Sequence, residues 1–220
     1  MPWHPTLFKS HSIHGPAPSN NHMKQQDHFV TLALSVILIV GAYQFYFLPQ
    51  RRPLRAPRTF NSALDEAMPF WPVWSWVYSF LYYPAILYLN WLVRDARQFM
   101  MLAFSFIALL FAQMLFFYLI PIQTPAHWRS INTGKSASER FLLFVQRFDG
   151  PTNCFPSMHV SVAMLTAMHA APTLGPVAFA FPTLIALSCI FTKQHYMIDL
   201  VFGALLGWVV YLGYAWLMAA

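Results

Sequence analysis

Two residues near the end of the chain have the spacing of a nucleophile and its partner. His195 and Asp199 are four positions apart, so on a helix they share one face about one turn apart. A carboxylate held against one ring nitrogen leaves the other nitrogen as an oriented, more basic lone pair, which suits attack on phosphorus. We therefore predict that His195 is a nucleophile and that Asp199 holds it.

A second cluster lies about 35 residues earlier, in Cys154-Phe155-Pro156-Ser157-Met158-His159. Proline and serine are typical of a helix start, where free N–H groups and the helix dipole favour phosphate oxygens. Ser157 adds a hydroxyl to this cradle. His159, in the first turn, is placed to protonate a departing alkoxide as a general acid. Lys193, close to His195, could neutralise charge that develops on the phosphoryl oxygens.

Each cluster alone also has a structural interpretation. A histidine inside a membrane is often a residue that hydrogen-bonds between helices, and a His-x-x-x-Asp pair also arises by chance. The two clusters together, with Ser157 and Lys193 beside them, favour catalysis. His169 has no titratable neighbour in the sequence, and for it we predict a structural role.

The elements that must position these residues are membrane helices, since the chain is 58% hydrophobic and only 9% charged, with a mean hydropathy of +0.47. Apolar runs cover approximately residues 29–48, 70–93, 98–120, 157–174, 177–192 and 196–218. Most of them reach the roughly 20 residues that cross a bilayer. We predict an all-α polytopic bundle of six transmembrane helices, in which Pro172 and Pro176 mark a tight hairpin between the fourth and fifth helices. This topology brings both clusters to one membrane face.

Residues 1–28 contain five histidines and few large aliphatic side chains, so we predict a disordered, His-rich tail. Metal binding by the tail is the alternative, although no regular spacing supports it. The remainder, 29–220, is predicted to be one membrane domain with its catalytic motifs in 154–203. We expect an integral, multi-pass protein of the bacterial plasma membrane.

The formal net charge is +6, and most of the basic residues fall in the two long predicted loops, 49–69 and 121–155. A positive-inside tendency would make these loops cytoplasmic, but an anionic substrate recruits cations for its own reasons. The orientation is therefore open. The basic run 51–58 is explained better by contact with anionic headgroups than by catalysis.

Other features have simpler interpretations. Cys154 and Cys189 are too few for a disulfide framework, and we expect two unpaired thiols. Gly203 and Gly207 indicate close helix packing, either within the chain or in a homo-oligomer through the sixth helix. Six aromatic residues near the start of the second predicted span indicate an interfacial belt: Trp71, Trp74, Trp76, Tyr78, Tyr82 and Tyr83.

The two clusters resemble motifs of the type 2 phosphatidic acid phosphatase superfamily of membrane lipid phosphatases and phosphotransferases. Pro156-Ser157-Met158-His159 matches its Pro-Ser-x-His motif, and His195 and Asp199 match the end of its Arg-x5-His-x3-Asp motif. The resemblance implies a six-helix bundle without a metal or other cofactor, a phosphohistidine on His195 and an acid role for His159. It covers roughly residues 120–210 and is closest to the branch that includes inositol phosphorylceramide synthases.

The chain also departs from that pattern. Cys189 stands where the motif has its arginine, and the family's Lys-x6-Arg-Pro motif is absent from the sequence. Other basic residues must then bind the phosphate, and the candidates are Lys193, Arg129, Arg140 and Arg147.

Three functions compete at this point. The first, which we favour, is a lipid-phosphate phosphatase that cleaves a phosphomonoester or pyrophosphate. The second is a lipid phosphotransferase that moves a phosphoryl headgroup to a lipid alcohol. The third is a non-enzymatic or haem-binding membrane protein that uses His159 and His195 as ligands. The first two imply a phosphorylated lipid substrate and contact with membrane lipids, and none implies nucleic acid.

Overall fold

The computed structural model describes residues 25–60 and 62–219, and over these residues the fold is all-helical. Besides the α-helices, a 3-10 turn covers Gly175–Phe179. The α-helices are α1 (Gln25–Arg51), α2 (Ala63–Ala67), α3 (Trp74–Phe80), α4 (Tyr82–Leu92), α5 (Ala96–Leu119), α6 (Ala126–Ser130), α7 (Ala137–Phe148), α8 (Met158–Leu174), α9 (Ala180–Phe191) and α10 (Met197–Ala219).

Four segments of the described chain are long and apolar enough to cross a membrane. They are Asp27–Arg51, Ala96–Leu119, Met158–Phe191 and Met197–Ala219. The predicted count of six spanning helices is therefore not confirmed, although the all-helical membrane architecture is. The second predicted span and the pair formed by the fourth and fifth account for the difference.

The second predicted span, 70–93, is broken into α3 and α4, of 7 and 11 residues. Pro84 explains the break, because it has no N–H for the carbonyl of Phe80, the residue at which α3 ends. Each piece alone is shorter than the roughly 20 residues needed to cross a bilayer.

The fourth and fifth predicted spans lie in one apolar segment, as α8, the 3-10 turn and α9. Gly175 ends α8 with a φ of +59°, a conformation that glycine adopts without steric cost. Val160, near the start of α8, and Cys189, near the end of α9, belong to the same buried cluster. The chain therefore reverses between the two helices, as the prolines predict.

The N-terminal boundary differs slightly from the predicted one. α1 begins at Gln25, so the last residues of the predicted 1–28 tail belong to a helix, and the ring nitrogen Nδ1 of His28 lies 3.1 Å from the carbonyl oxygen of Asn90. Residues 1–24 lie outside the described part of the chain, and the predicted disorder and metal binding there stay predictions.

α10 packs closely against α8. A Cβ on Gly203 would lie 2.6 Å from the carbonyl oxygen of Ser157, and one on Gly207 would overlap the carbonyl oxygen of Ser161. The two glycines therefore allow backbone contact within this chain. Of the two predicted interpretations, the intramolecular one describes this face of α10, and oligomerisation stays a prediction.

Candidate active site

His195 lies in the short loop between α9 and α10, and its ring is oriented by a backbone carbonyl. Nδ1 of His195 is 3.0 Å from the carbonyl oxygen of Cys154. Since a carbonyl oxygen only accepts hydrogen bonds, Nδ1 must carry the proton. In the neutral ring Nε2 is then the unprotonated nitrogen, with its lone pair available to an electrophile.

Asp199 stands beside the same ring but makes a different hydrogen bond from the predicted one. Its Oδ2 is 3.6 Å from Nδ1 of His195 and accepts the backbone N–H of Tyr196 at 2.9 Å. The carboxylate thus supplies negative charge near the imidazole, while the Cys154 carbonyl supplies the hydrogen bond. Asp199 is fully buried, and its Oδ1 has no hydrogen-bond partner among the described residues.

The position of Cys154 depends on contacts between loop backbones. Its N–H donates to the carbonyl of Ile122 at 3.2 Å, and the neighbouring Pro121 carbonyl accepts from Arg58 at 3.0 Å. The two long loops are thereby joined next to His195. These bonds involve only main-chain atoms, so no side-chain pattern could have indicated them.

The start of α8 is bound directly to the start of α10. Ser157 is the N-cap of α8, with its Oγ accepting the N–H of Val160 at 3.4 Å. Its own N–H donates to the carbonyl of Asp199 at 2.9 Å. The two predicted clusters are therefore in contact, and the hydroxyl predicted to bind phosphate also caps the helix.

His159 faces the same centre from the first turn of α8. Its ring centroid is 6.0 Å from that of His195, and its Nδ1 is 3.1 Å from the hydroxyl oxygen of Tyr78. Tyr82 also packs against it, with ring centroids 5.2 Å apart. Tyr78 and Tyr82 are buried, so their assignment to an interfacial aromatic belt is wrong.

A family model described as the PAP2 superfamily matches residues 43–213. The chain belongs to the PAP2 superfamily. The match begins within α1 and ends within α10, and it includes both clusters. Curated proteins and solved structures gave no match. Membership indicates a phosphatase or phosphotransferase of the membrane, whereas the narrower resemblance to inositol phosphorylceramide synthases is not confirmed.

Lys193, one of the predicted phosphate ligands in this PAP2 protein, is buried and has partners of its own. Its Nζ donates to the backbone carbonyls of Asp65 and Glu66, at 2.5 and 3.3 Å, and lies 5.0 Å from the ring centroid of Trp128. Burial lowers the pKa of the Lys193 ammonium, while the Glu66 and Asp65 carboxylates act in the opposite direction. Lys193 therefore fixes α2 over the site.

The three predicted arginines differ in their surroundings. Arg129 is half-buried and donates to the carbonyls of Gln146 and Asp149 at 3.2 and 2.9 Å, and its buried Nε–H has no partner among the described residues. Arg140 is exposed and donates to the Lys135 carbonyl at 2.9 Å. Arg147 is exposed on α7. All three stay predictions as phosphate ligands, and of the three only Arg129 has a buried N–H without a partner among the described residues.

Asp65 is a residue near the site that the sequence did not indicate. Its Oδ1 accepts the N–H of Met197, the first residue of α10, at 2.8 Å. The first N–H groups of a helix need such acceptors. Because Asp65 is 132 residues away from Met197 in sequence, local pattern could not reveal this cap.

Cys154, His195 and Asp199 could in principle hold a metal ion, since one potential ligand atom from each lies within 4.8 Å of the others. However, the Cys154 thiol donates to the carbonyl of Pro151 at 3.1 Å. Burial raises the pKa of this thiol well above its usual range, and metals bind the thiolate. These groups therefore fit a metal poorly. That the protein works without a metal stays a prediction. Cys154 and Cys189 are both free, as predicted.

Proposed function

We propose that this PAP2 protein is a membrane lipid-phosphate phosphatase that forms a phosphohistidine on His195. The observation that carries the proposal is the hydrogen bond from Nδ1 of His195 to the Cys154 carbonyl, which leaves Nε2 as a lone pair. His159, with its ring 6.0 Å from that of His195, supplies the second group that such a reaction needs.

In the first half-reaction Nε2 of His195 attacks phosphorus and the bond between phosphorus and the leaving oxygen breaks. His159 donates a proton to that oxygen, so the product leaves as a neutral alcohol or, from a pyrophosphate, as a protonated phosphate ester. The Asp199 carboxylate, 3.6 Å from Nδ1, stabilises the positive charge that the ring gains when it is phosphorylated.

In the second half-reaction His159 takes a proton from water, and the water oxygen attacks the phosphohistidine. The bond between nitrogen and phosphorus breaks, inorganic phosphate leaves and Nε2 regains its lone pair. The N–H groups at the start of α8 and the unpaired Nε–H of Arg129 are the donors that we propose for the phosphoryl oxygens.

A phosphotransferase shares the first half-reaction and differs only in its acceptor. The specific observation in its favour is an apolar cleft that reaches His159, in which a lipid alcohol could replace water. The branch resemblance to inositol phosphorylceramide synthases supports the same alternative. Because both reactions use the same residues, only the acceptor distinguishes them.

The experiment is an acceptor assay on the purified chain in lipid nanodiscs. Phosphatidic acid or a phospholipid is supplied with and without a lipid alcohol, and both free phosphate and new phospholipid are measured. We expect free phosphate from phosphatidic acid, and His195→Ala should lower that rate roughly a thousandfold or more, because it removes the nucleophile.

His169→Gln is the matched control. His169 is also a histidine of α8, and its Nε2 is 3.0 Å from Oγ of Ser105, a bond that glutamine can replace. This variant should keep wild-type activity. Unchanged turnover in His195→Ala would exclude the mechanism, and formation of new phospholipid in place of free phosphate would favour the transferase. A Soret band in the purified protein would support the haem-binding alternative.

A further inference from the structure

An apolar cleft of about 800 Å³ runs along the inside of α1, between that helix and α4 and α5. Tyr78 and His159 line one end, and Ser35 and Asn90 line the other. Half of its lining residues are phenylalanine, leucine or isoleucine, from α1, α3, α4, α5 and α7. The cleft is thus a hydrocarbon-lined space with a polar, catalytic end.

At the far end of the cleft, polar contacts join α1 to α4. Oγ of Ser35 donates to the side-chain oxygen of Asn90 at 3.1 Å, and His28 contacts the Asn90 carbonyl. The lining part of α1 runs from Ser35 to Phe47, which corresponds to about 18 Å at 1.5 Å per residue. This is close to half of the roughly 30 Å hydrocarbon core of a bilayer, the depth that one lipid chain fills.

The charge of the cleft determines which part of a phospholipid it can hold. No lysine or arginine is among the described residues that line it, and its one carboxyl group is Asp149. Burial raises the pKa of Asp149 above its usual value, although the hydrogen bonds from Gln50 and Tyr46 act in the opposite direction. A phosphate dianion would find no cation here, whereas an uncharged chain meets a continuous apolar wall.

We infer that this cleft binds the hydrocarbon chain of the leaving alcohol, with the phosphoryl group outside it at His195. The inference rests on the proposed function, in which His159 protonates the leaving oxygen. That oxygen must then lie at the His159 end of the cleft, and the chain attached to it extends toward Asn90. The substrate class is a long-chain or acyl-bearing alcohol esterified to a terminal phosphate.

Gly41 offers a way to fill the cleft. It lines the cleft on α1, and a Cβ added there meets no atom within 4 Å. Gly41→Phe therefore places a ring where the chain would lie without a clash at its base. Gly213 on α10 has equally free space but does not line the cleft, so Gly213→Phe is a matched control. Ala103→Phe, on the α5 wall, repeats the test from a second helix.

The experiment compares kcat/KM for butyl, octyl and hexadecyl phosphate in nanodiscs. Each buried methylene can raise kcat/KM up to about fourfold, so octyl phosphate should exceed butyl phosphate at least tenfold in the wild type. Gly41→Phe and Ala103→Phe should lower the hexadecyl-to-butyl ratio at least tenfold, and Gly213→Phe should keep the wild-type ratio.

A second measurement does not depend on turnover. A long-chain alcohol carrying a terminal diazirine should label α1, α4 and α5 in the wild type and Gly213→Phe, and several-fold less in Gly41→Phe. If all three phosphates react equally, or if Gly41→Phe changes neither ratio nor labelling, the cleft does not bind the chain. If no phosphate is hydrolysed but labelling follows the expected pattern, the proposed function fails while the cleft assignment holds.

Discussion

At the residue scale, each of the two histidines has one ring nitrogen held by an uncharged group. Nδ1 of His195 meets the Cys154 carbonyl, and Nδ1 of His159 meets the Tyr78 hydroxyl. In both cases Nε2 is the nitrogen left for a substrate. The proposed acid is the imidazolium form of His159, in which both ring nitrogens carry protons, so Nδ1–H donates to the Tyr78 oxygen and Nε2–H is left for the leaving oxygen. Tyr78 is therefore a positioning residue.

Tyr78→Phe tests this role by removing one oxygen. We expect kcat to fall roughly tenfold to a hundredfold, part of the total that general acid catalysis contributes, while KM changes little. The pH profile of kcat should also shift, because Nδ1 of His159 loses its hydrogen-bond partner. Activity of purified protein between pH 5 and about pH 9 would measure both effects.

Tyr82→Phe is the control for this substitution. Tyr82 is also buried beside His159 but makes no hydrogen bond to it in the described part of the chain. Its variant should retain wild-type kcat and pH profile. If the two variants had the same kcat and the same pH profile, the Tyr78 hydroxyl would not position His159.

At the element scale, the site depends on how closely α10 approaches α8. The N–H of Ser157 reaches the Asp199 carbonyl at 2.9 Å because Gly203, one turn further along α10, has no side chain. On the other side, Asp65 of α2 caps α10 at Met197. Three elements far apart in sequence thus fix the turn that carries His195 and Asp199.

Gly203→Ala should disturb this contact. The added methyl would lie 2.6 Å from the Ser157 carbonyl oxygen, a backbone atom that cannot rotate away, so the helices must separate. Overpacking of this kind costs about 1–3 kcal/mol. We expect a lower unfolding temperature and at least a tenfold loss of kcat, since a small displacement of catalytic groups is costly.

Gly213→Ala provides the comparison on the same helix. A Cβ there meets no atom within 4 Å, and alanine is the better helix former by up to about 1 kcal/mol. This variant should keep its activity and be as stable as the wild type or slightly more so. Thermal unfolding in nanodiscs, read beside activity, distinguishes the two glycines, and equal behaviour would contradict the packing argument.

At the scale of the whole molecule, the sequence indicated what depends on local pattern. Three of the predicted features are local: the spacing of His195 and Asp199, the helix start at Ser157 and the apolar runs. The prediction that the two clusters meet is consistent with their contacts. The Cys154 carbonyl, Tyr78 and Asp65 depend on long-range placement, and backbone atoms leave no side-chain signal. The six-span count differed for two reasons: Pro84 interrupts the second predicted span, and the fourth and fifth predicted spans lie in one apolar segment, Met158–Phe191.

The number of membrane crossings is itself testable, because α3 and α4 together could cross where neither does alone. Trp71, just before α3, donates to the carbonyl of Phe191 near the active site, while Asn90 of α4 contacts His28 at the opposite end of α1. The pair of helices α3 and α4 therefore runs from the active-site side of the bundle to the N-terminal end of α1. We predict that Leu64 and Arg94, both exposed, lie on opposite sides of the membrane.

Leu64→Cys and Arg94→Cys, treated with a membrane-impermeant maleimide on sealed vesicles of known orientation, would measure this. The two native cysteines are buried, so the unmodified chain is the control for background labelling. Six crossings require the two positions to react from opposite sides. If α3 and α4 did not cross, the chain from the end of α1 to the start of α5 would stay on one side of the membrane. Both cysteines would then react from that side, and the cleft between α1, α4 and α5 could not lie within the bilayer.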